Sequence, residues 1–354
     1  NHAVHDIRTQ AIKVFEEKGF PTKKDEAWKY TSLNALLKND YSVFPEQESA
    51  IEFNDIKKYF IHDIDSYRIV FIDGVFSSHL SETTHEGIDV CTMGAALTKP
   101  KYQLVIENYF NKIVDKEDSL TALNTAFSRE GAFINVPKGK VVQKPIQVLY
   151  FSTGKESAQM VQPRNLVVVG ENAYVQIIER HQSLNLNPVL TNTVTEIHTS
   201  KRGIAQQQNS HASVHTFSFG GKLTRNNLQF LHKGEYINST LKGVTIIEDK
   251  QHVDHSTLVH HATPNCESHQ DYKGIYADRS TGVFNGRIIV EKEAQKTNGF
   301  QQNNNILVSD KATINAKPQL EIFADDVKCS HGCTIGQLDE EALYYLRTRG
   351  IPKK

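Results

Sequence analysis

Cysteine, tryptophan and methionine are scarce in this chain of 354 residues, and neither sign of charge is in excess. The four cysteines, at positions 91, 266, 329 and 333, are too few and too unevenly spaced for a disulfide framework, so we expect reduced thiols. Lys and Arg number 40 against 41 Asp and Glu, which gives a formal net charge of −1. Because no net field would attract a polyanion or an anionic bilayer, binding to nucleic acid or membrane is disfavoured as the main role.

Long apolar runs are also missing. No stretch approaches the ~20 apolar residues that a membrane-spanning helix needs, and the first residues lack the pattern of a secretory signal. We therefore expect a soluble, cytoplasmic protein. The chain has no Gly-x-x-x-x-Gly-Lys-Ser/Thr loop either, so any ATP hydrolysis linked to its function would belong to a partner.

Helical patterns dominate the first part of the chain. Apolar residues recur at helical spacing from His5 to a stop at Gly19, and again between Leu104 and Phe127. Between these stretches, Tyr67–Phe76 consists of two apolar runs joined by Asp73-Gly74, which is typical of a β-hairpin. The patterns predict a helix-rich α+β domain over residues 1–130.

From Gly131 onward the chain becomes a series of short β-rich segments separated by polar or glycine-bearing links. No convincing helical pattern interrupts them before Asp339, where a segment with acids at its start and arginines at its end precedes Gly350. The regular spacing of these links fits a β-sandwich or a β-solenoid, and we favour a β-helix of irregular coils. The sequence thus predicts a mainly β protein with a core at 131–335 and a truncated helical segment at 336–354.

The densest chemistry lies in Phe323–Ile335, which holds two carboxylates, two thiols and an imidazole. In an extended chain, alternation places Val327, Cys329 and His331 on one side. Thiolate and neutral imidazole suit iron or zinc better than magnesium or calcium, but the second ligand pair of a structural zinc site is absent. By spacing alone, a structural role for both cysteines as small buried hydrophobic residues is favoured over a metal site. A metal site here would need a partner chain or a cluster to complete its shell.

Two separated motifs give this chain a resemblance to a known family. The first motif is Phe323-Ala-Asp-Asp-Val-Lys-Cys-Ser-His-Gly-Cys-Thr-Ile-Gly336, which is followed by Tyr345-Leu-Arg-Thr-Arg-Gly350. The second lies near the start of the chain and is Gly19-Phe-Pro-Thr-Lys-Lys-Asp-Glu-Ala-Trp-Lys-Tyr-Thr31. The chain resembles the SufB/SufD family of scaffold subunits of the SUF iron–sulfur cluster assembly system, and within it the SufD branch. The resemblance implies a right-handed parallel β-helix between helical terminal domains.

The resemblance also implies a site and partners. Cys329 and His331 match the motif that lies at the interface with SufB, where a nascent iron–sulfur cluster or iron is bound transiently, whereas Cys333 matches a variable position. The final helical domain of the family binds the ATPase SufC, and most of it is absent here. A non-catalytic scaffold that pairs with SufB through the β-helix is expected; a homodimer of the isolated chain and the involvement of a reduced flavin stay open.

One departure separates the chain from SufB. SufB-like sequences carry a sulfur-accepting cysteine in a Gln-Cys-Asp context, and the corresponding Phe300-Gln-Gln-Asn-Asn304 has no thiol. We therefore expect this chain to contribute one half of a composite site and to accept no persulfide at that position.

Two rival interpretations use other residues. The histidines at 252, 255, 260, 261 and 269, with Cys266, form a dense group. Alternation places His252 and His260 on one face and His255, His261 and His269 on the other, and we expect histidines on solvated strand faces. Parallel β-helices also host polysaccharide lyases and hydrolases, which would need paired carboxylates or a calcium cluster in a groove. A purely structural β-helix homodimer is the non-catalytic alternative.

Overall fold

The computed structural model describes residues 2–43, 51–61, 64–82, 87–154, 158–199, 209–337 and 339–352. The chain divides into two compact units, one comprising Asn1–Trp28 and Ser32–Ala205 and the other Lys29–Thr31 and Gln206–Lys354. The boundaries expected from sequence at residues 130 and 335 stay a prediction. None of the helices in the described residues combines the length and the apolarity that crossing a lipid bilayer requires.

Within its described residues the first unit holds five α-helices, and their ends follow from local sequence. Thr92 and Asp118 act as N-caps, since their side chains accept hydrogen bonds from the Ala95 and Thr121 amides. The helical pattern between Leu104 and Phe127 is split in two because Asp118 starts a new helix. The α-helices are α1 (His2–Lys18), α2 (Phe53–Ile56), α3 (Met93–Thr98), α4 (Gln103–Tyr109) and α5 (Ser119–Phe127), with 3-10 helices at Glu26–Trp28, Lys57–Tyr59 and Pro100–Tyr102.

The strands of the first unit form two four-stranded sheets, β2-β1-β5-β8 and β10-β7-β4-β3, and a two-stranded sheet, β6-β9. The hairpin predicted at Asp73-Gly74 is confirmed, because β1 and β2 pair antiparallel and both turn residues have positive φ, as a type I′ turn requires. The strands are β1 (Tyr67–Ile72), β2 (Val75–Phe76), β3 (Asp89–Thr92), β4 (Ala132–Val136), β5 (Ile146–Ser152), β6 (Gln159–Val161), β7 (Arg164–Val169), β8 (Ile177–Ser183), β9 (Val189–Thr191) and β10 (Val194–Thr199).

The second unit is a parallel β-helix. Its strands alternate along the chain between two sheets, β11-β13-β15-β17-β19 and β12-β14-β16-β18, and every pairing is parallel. They are β11 (His211–Ser218), β12 (Leu223–His232), β13 (Asn238–Ile247), β14 (His252–His261), β15 (Glu267–Tyr276), β16 (Thr281–Val290), β17 (Asn298–Leu307), β18 (Thr313–Ile322) and β19 (Lys328–Gln337), followed by α6 (Glu340–Thr348).

One coil of this β-helix spans about thirty residues, which places equivalent residues of successive coils directly above one another. His252 pairs with Thr281, and Thr281 with Thr313, steps of 29 and 32 residues. The corners stack as well: Asp249 and Asp278 both have positive φ, which Asp tolerates better than most residues, and the Asp249 amide donates to the Asp278 carboxylate at 3.0 Å.

The interior of the β-helix is filled by alternate residues of each strand. Leu241, Val259, Tyr272 and Phe284 form one buried cluster, and Gly243 leaves the space that the Tyr272 ring occupies, since a Cβ there would lie 2.2 Å from the ring. The expected mainly β architecture with a parallel β-helix and amino-terminal helices is confirmed. The strands are longer than the apolar segments suggested, because polar residues continue them on the outward face.

A buried histidine gives the β-helix a pH dependence. His255 points inward from β14, is 4% exposed, and contacts the Thr245 hydroxyl at 2.8 Å and the Asn226 amide at 3.3 Å. Burial lowers its pKa from 6.5 to about 4. The unfolded chain therefore binds a proton between pH 6.5 and 4 that the folded chain does not. The contribution of His255 to the free energy of unfolding is complete above pH 6.5 and is lost as the pH falls toward 4.

We expect the free energy of unfolding to fall by about 3 kcal/mol more in the parent chain than in His255→Asn over this pH range. Denaturant titrations at several pH values measure the difference. His269→Asn, which changes an exposed histidine of the next strand, serves as control. Parallel pH profiles of the parent and His255→Asn chains would contradict the assignment.

Candidate functional site

The last coil of the β-helix is open. Strand β18 is the edge of the four-stranded sheet and β19 the edge of the five-stranded sheet, and within the described residues each pairs with a strand on one side only. An open edge exposes backbone donors and acceptors that another strand can bind. Large apolar side chains are exposed beside it, namely Phe323, Ile322 and Ile335. Exposed apolar groups next to unpaired strands are typical of an interaction surface.

Both residues predicted as metal ligands lie on β19 and on one face of it. Cys329 is paired in register with Gly299 of β17, and His331 with Gln301. Because the partners on β17 point into the β-helix, the row of β19 that includes Cys329 and His331 continues the lining of the interior to its open end.

Cys329 is half-buried at the base of this row. It packs against the cluster that contains Ile288, Val290 and Ala324. Burial raises the pKa of its thiol, and a backbone contact from Gly299 opposes the shift. The thiol is thus mainly protonated at neutral pH and would release a proton on binding a metal ion.

His331 is exposed at the rim. Among the described residues, no side chain forms a hydrogen bond with its imidazole, so the ring has no such bond to lose when it binds a metal ion. The arrangement supplies a half-buried sulfur donor and an exposed nitrogen donor two residues apart, an incomplete shell for a soft or borderline metal.

Cys333 continues the same row. It is exposed, its Sγ lies 3.7 Å from Asn303 Oδ1, and partial burial raises the pKa of its thiol. The sequence interpretation assigned it no role. Its place in line with Cys329 and His331 makes it a third potential donor that the alternation of β19 would have indicated.

Polar amides line the interior just beneath the last coil, and the sequence analysis missed them as part of the site. Gln301, Asn303 and Asn305 are all buried on the inward face of β17. The Asn305 amide donates to Asn303 Oδ1 at 2.7 Å, whereas neither polar atom of the Gln301 side chain has a hydrogen-bond partner in the described structure. Because an unpaired buried amide is costly, Gln301 is suited to contact water or a group that enters from the open end. The Asn303-Asn304-Asn305 run was the available signal.

The Asp325 carboxylate and the Asp326 backbone have a structural role. Asp325 accepts a hydrogen bond from the Gln295 side chain at 3.1 Å, and the Asp326 amide donates to Gln295 Oε1 at 2.9 Å. These bonds fix the corner between β18 and β19, so Asp325 and Asp326 position Cys329 through the backbone.

The expectation of solvated histidines between 252 and 269 is wrong for two of the five. His255 and His261 are buried and point inward, as does Cys266, whereas His252, His260 and His269 point outward. Within β14 the division between faces follows the predicted alternation, whereas His269 lies on the other face than predicted, because the inward positions change from odd residue numbers in β14 to even ones in β15. The error came from judging these residues by their polarity, although the interior of this β-helix accommodates hydrogen-bonded polar groups.

Comparison with known proteins covers nearly the whole chain. Residues 197–354 match the family described as SUF system FeS cluster assembly, SufBD core domain, and residues 1–148 match the SufBD protein N-terminal region.

Similar curated proteins have consistent names. An iron–sulfur cluster assembly SufBD family protein of Synechocystis is 31% identical, over 94% of this chain and 79% of that protein. The iron–sulfur cluster assembly protein SufD of Escherichia coli is 30% identical, over 94% of this chain and 81% of that protein. SufD of Bacillus subtilis is 26% identical, over 99% and 85%.

Proposed function

Since the chain belongs to the SufBD family and has a role in SUF iron–sulfur cluster assembly, we propose that it is a non-catalytic, SufD-like scaffold subunit that forms a composite site with SufB. The observation that carries the proposal is the open last coil, where Cys329 and His331 lie on an edge strand. A strand of SufB adding to β19 or β18 would bring its own donors to this row.

The chemistry at the proposed interface with SufB is an exchange of ligands on iron. Iron arriving at the edge binds the Cys329 sulfur, which loses its proton, and the neutral imidazole of His331. Two donors from this chain leave most of the shell open, so the remaining ligands and the sulfide come from SufB. Cluster transfer then requires only that the two edges separate, because neither chain alone holds a complete shell.

Coupling to the ATPase SufC belongs to the same proposal. Asp339 is the N-cap of α6, and its carboxylate accepts hydrogen bonds from the Glu341 and Ala342 amides. The helix exposes Tyr344, Tyr345 and Leu346. An exposed helix with two tyrosines is a suitable docking element for a partner. Because α6 follows β19 within a few residues, a pull on α6 would reach the strand with Cys329 and His331. The unbridged state of all four cysteines supports a cytoplasmic location.

Pairing through the last coil is testable with one matched pair of variants. We expect Ile335→Asp to weaken binding to SufB about tenfold or more, because Ile335 is an exposed apolar residue of the edge strand and a buried unpaired carboxylate opposes association. Titration of labelled SufB measures the dissociation constants.

Ile275→Asp is the control, since Ile275 is similarly exposed but lies on β15 in the middle of the same sheet. Equal affinities of the Ile335→Asp and parent chains for SufB would refute pairing at this edge. Exclusive homodimers of this chain in the mixture would favour a purely structural role.

A further inference from the structure

A second group of metal-binding residue types lies inside the β-helix, on earlier coils than Cys329 and His331. His232 ends β12 and His261 ends β14, and the two residues pair in register on adjacent strands. Cys266 lies at the turn that leads into β15. All three are fully buried. Spacings of 29 and 5 residues do not resemble a metal motif in sequence, because it is the stacking of coils that brings the residues together.

The donor atoms are already close. His232 Nδ1 and His261 Nδ1 are 3.1 Å apart, and one donor atom from each of the three residues lies within 4.8 Å of the others. Two nitrogens at 3.1 Å that both lie ~2.1 Å from one shared ion make an angle of about 95° at that ion, so a slight separation of the rings gives the tetrahedral angle. The sulfur, at most 4.8 Å from the other donor atoms, must approach them to about 3.6 Å.

The other nitrogen of each ring is held by a serine. His232 Nε2 lies 2.9 Å from Ser239 Oγ, and His261 Nε2 lies 2.8 Å from Ser268 Oγ. Ser239 and Ser268 are themselves paired in register and fully buried. If each Nε2–H donates to its serine, both Nδ1 lone pairs face each other, an arrangement that a cation between them would stabilise. Hydrogen bonds of this kind to the second ring nitrogen orient the histidine ligands of metal sites.

The surroundings of Cys266 contain donors for a thiolate. Burial raises the pKa of the thiol, but backbone groups of Ile237 and Tyr236 and the Thr263 hydroxyl act in the opposite direction. In its protonated form the thiol donates to Gly234 O at 3.2 Å. Amide groups directed at sulfur are what a metal-bound thiolate requires once the proton has left.

We propose that His232, His261 and Cys266 bind one divalent transition-metal ion, zinc by the chemistry of the ligands, which joins neighbouring coils of the β-helix. Binding replaces the thiol proton by the metal: the S–H bond breaks, the metal–sulfur bond forms and one proton is released, with no change of oxidation state. Two imidazoles and one thiolate are a familiar ligand set for zinc, and the fourth position is left to water or to the Thr263 hydroxyl. The site is independent of the proposed scaffold function, since it uses none of the last-coil residues.

Cobalt is the probe, because a Co²⁺–thiolate bond has a charge-transfer band that identifies sulfur ligation. The 354-residue chain is produced in cobalt-supplemented medium, so that the ion enters as the protein folds. A background of Cys329→Ser, His331→Ala and Cys333→Ser removes the donors of the last coil. We expect one cobalt per chain by native mass spectrometry, and a charge-transfer band, in this background.

Cys266→Ser added to that background should abolish the charge-transfer band and lower bound cobalt at least tenfold, while Cys91→Ser, at a half-buried thiol of the other unit, should change neither. Circular dichroism checks that each variant is folded. If Cys266→Ser does not fold, X-ray absorption of the zinc-loaded background chain decides, since it must give two nitrogen ligands and one sulfur ligand. A folded background chain without bound cobalt, or a band unaffected by Cys266→Ser, would overturn the site.

Discussion

Replacing His331 by alanine is expected to abolish cluster build-up on a complex reconstituted with SufB and SufC, while the chain stays folded and still binds SufB. His331 is exposed and forms no hydrogen bond with a described side chain, so its removal should change the free energy of unfolding by less than about 0.5 kcal/mol. The loss would therefore reflect a missing nitrogen ligand. Cys329→Ser should have the same effect, because it removes the sulfur ligand from the same row.

Iron and acid-labile sulfide, measured after anaerobic reconstitution with a sulfur source, give the yield per complex. His269→Ala is the matched control, since His269 is an exposed histidine on β15 that stacks on Phe300 and points away from the interior. Undiminished iron and sulfide in the His331→Ala complex would remove this residue from the site. A loss of SufB binding in the same variant would instead assign His331 to the interface.

The second large effect is expected in the first unit, where Glu196→Ala should lower the free energy of unfolding by about 3–5 kcal/mol. Glu196 is fully buried and paired with Arg164 at 2.7 Å, and the backbone amides of Asn111 and Lys112 donate to it at 2.7 and 2.9 Å. Burial alone would raise the pKa of Glu196, but His198, Arg164 and the backbone amides of Asn111 and Ile113 outweigh it and the pKa is lowered. Its removal leaves a buried guanidinium and the backbone amides of Asn111, Lys112 and Ile113 without their acceptor.

Urea denaturation monitored by circular dichroism measures the change. Arg164→Met combined with Glu196→Met should recover part of the loss, because no unpaired charge is then buried, but not all of it, because the amides of Asn111 and Lys112 still lack an acceptor. Lys144→Ala, at an ion pair with Asp65 on the surface, is the control and should leave the unfolding midpoint unchanged. A Glu196→Ala chain as stable as the parent would show that Arg164 is solvated after the change.

Alternation along a strand predicted more of the site than residue type did. It placed Cys329 and His331 on one face, and it divided the four histidines of β14 between two faces correctly, but it assigned His269 to the wrong face because the turn before β15 shifts the inward positions by one residue. What it lacked was the register between coils. Without it, His232 and His261 are 29 residues apart, and nothing in the sequence indicates that their rings meet.

Residue type misled the analysis where the interior is polar. His255 and His261 were expected on solvated faces, yet both are buried in the interior. Helix ends were more predictable, because they depend on neighbouring residues alone: the acids and arginines of 339–349 and Gly350 marked α6 nearly to its bounds. Contacts between residues close in the chain can be inferred from sequence, whereas stacking contacts depend on how many residues each corner contains.

The stacking of equivalent corners limits how such a protein can change length during evolution. Loss or gain of a whole turn of the superhelix, about thirty residues, leaves every remaining residue above its former neighbour. Loss of a single strand would move every later strand to the opposite sheet, including the strand that carries Cys329 and His331. Related chains are therefore expected to differ by entire turns or by insertions at corners, and the length of the β-helix should vary in steps of one strand spacing, about 4.8 Å.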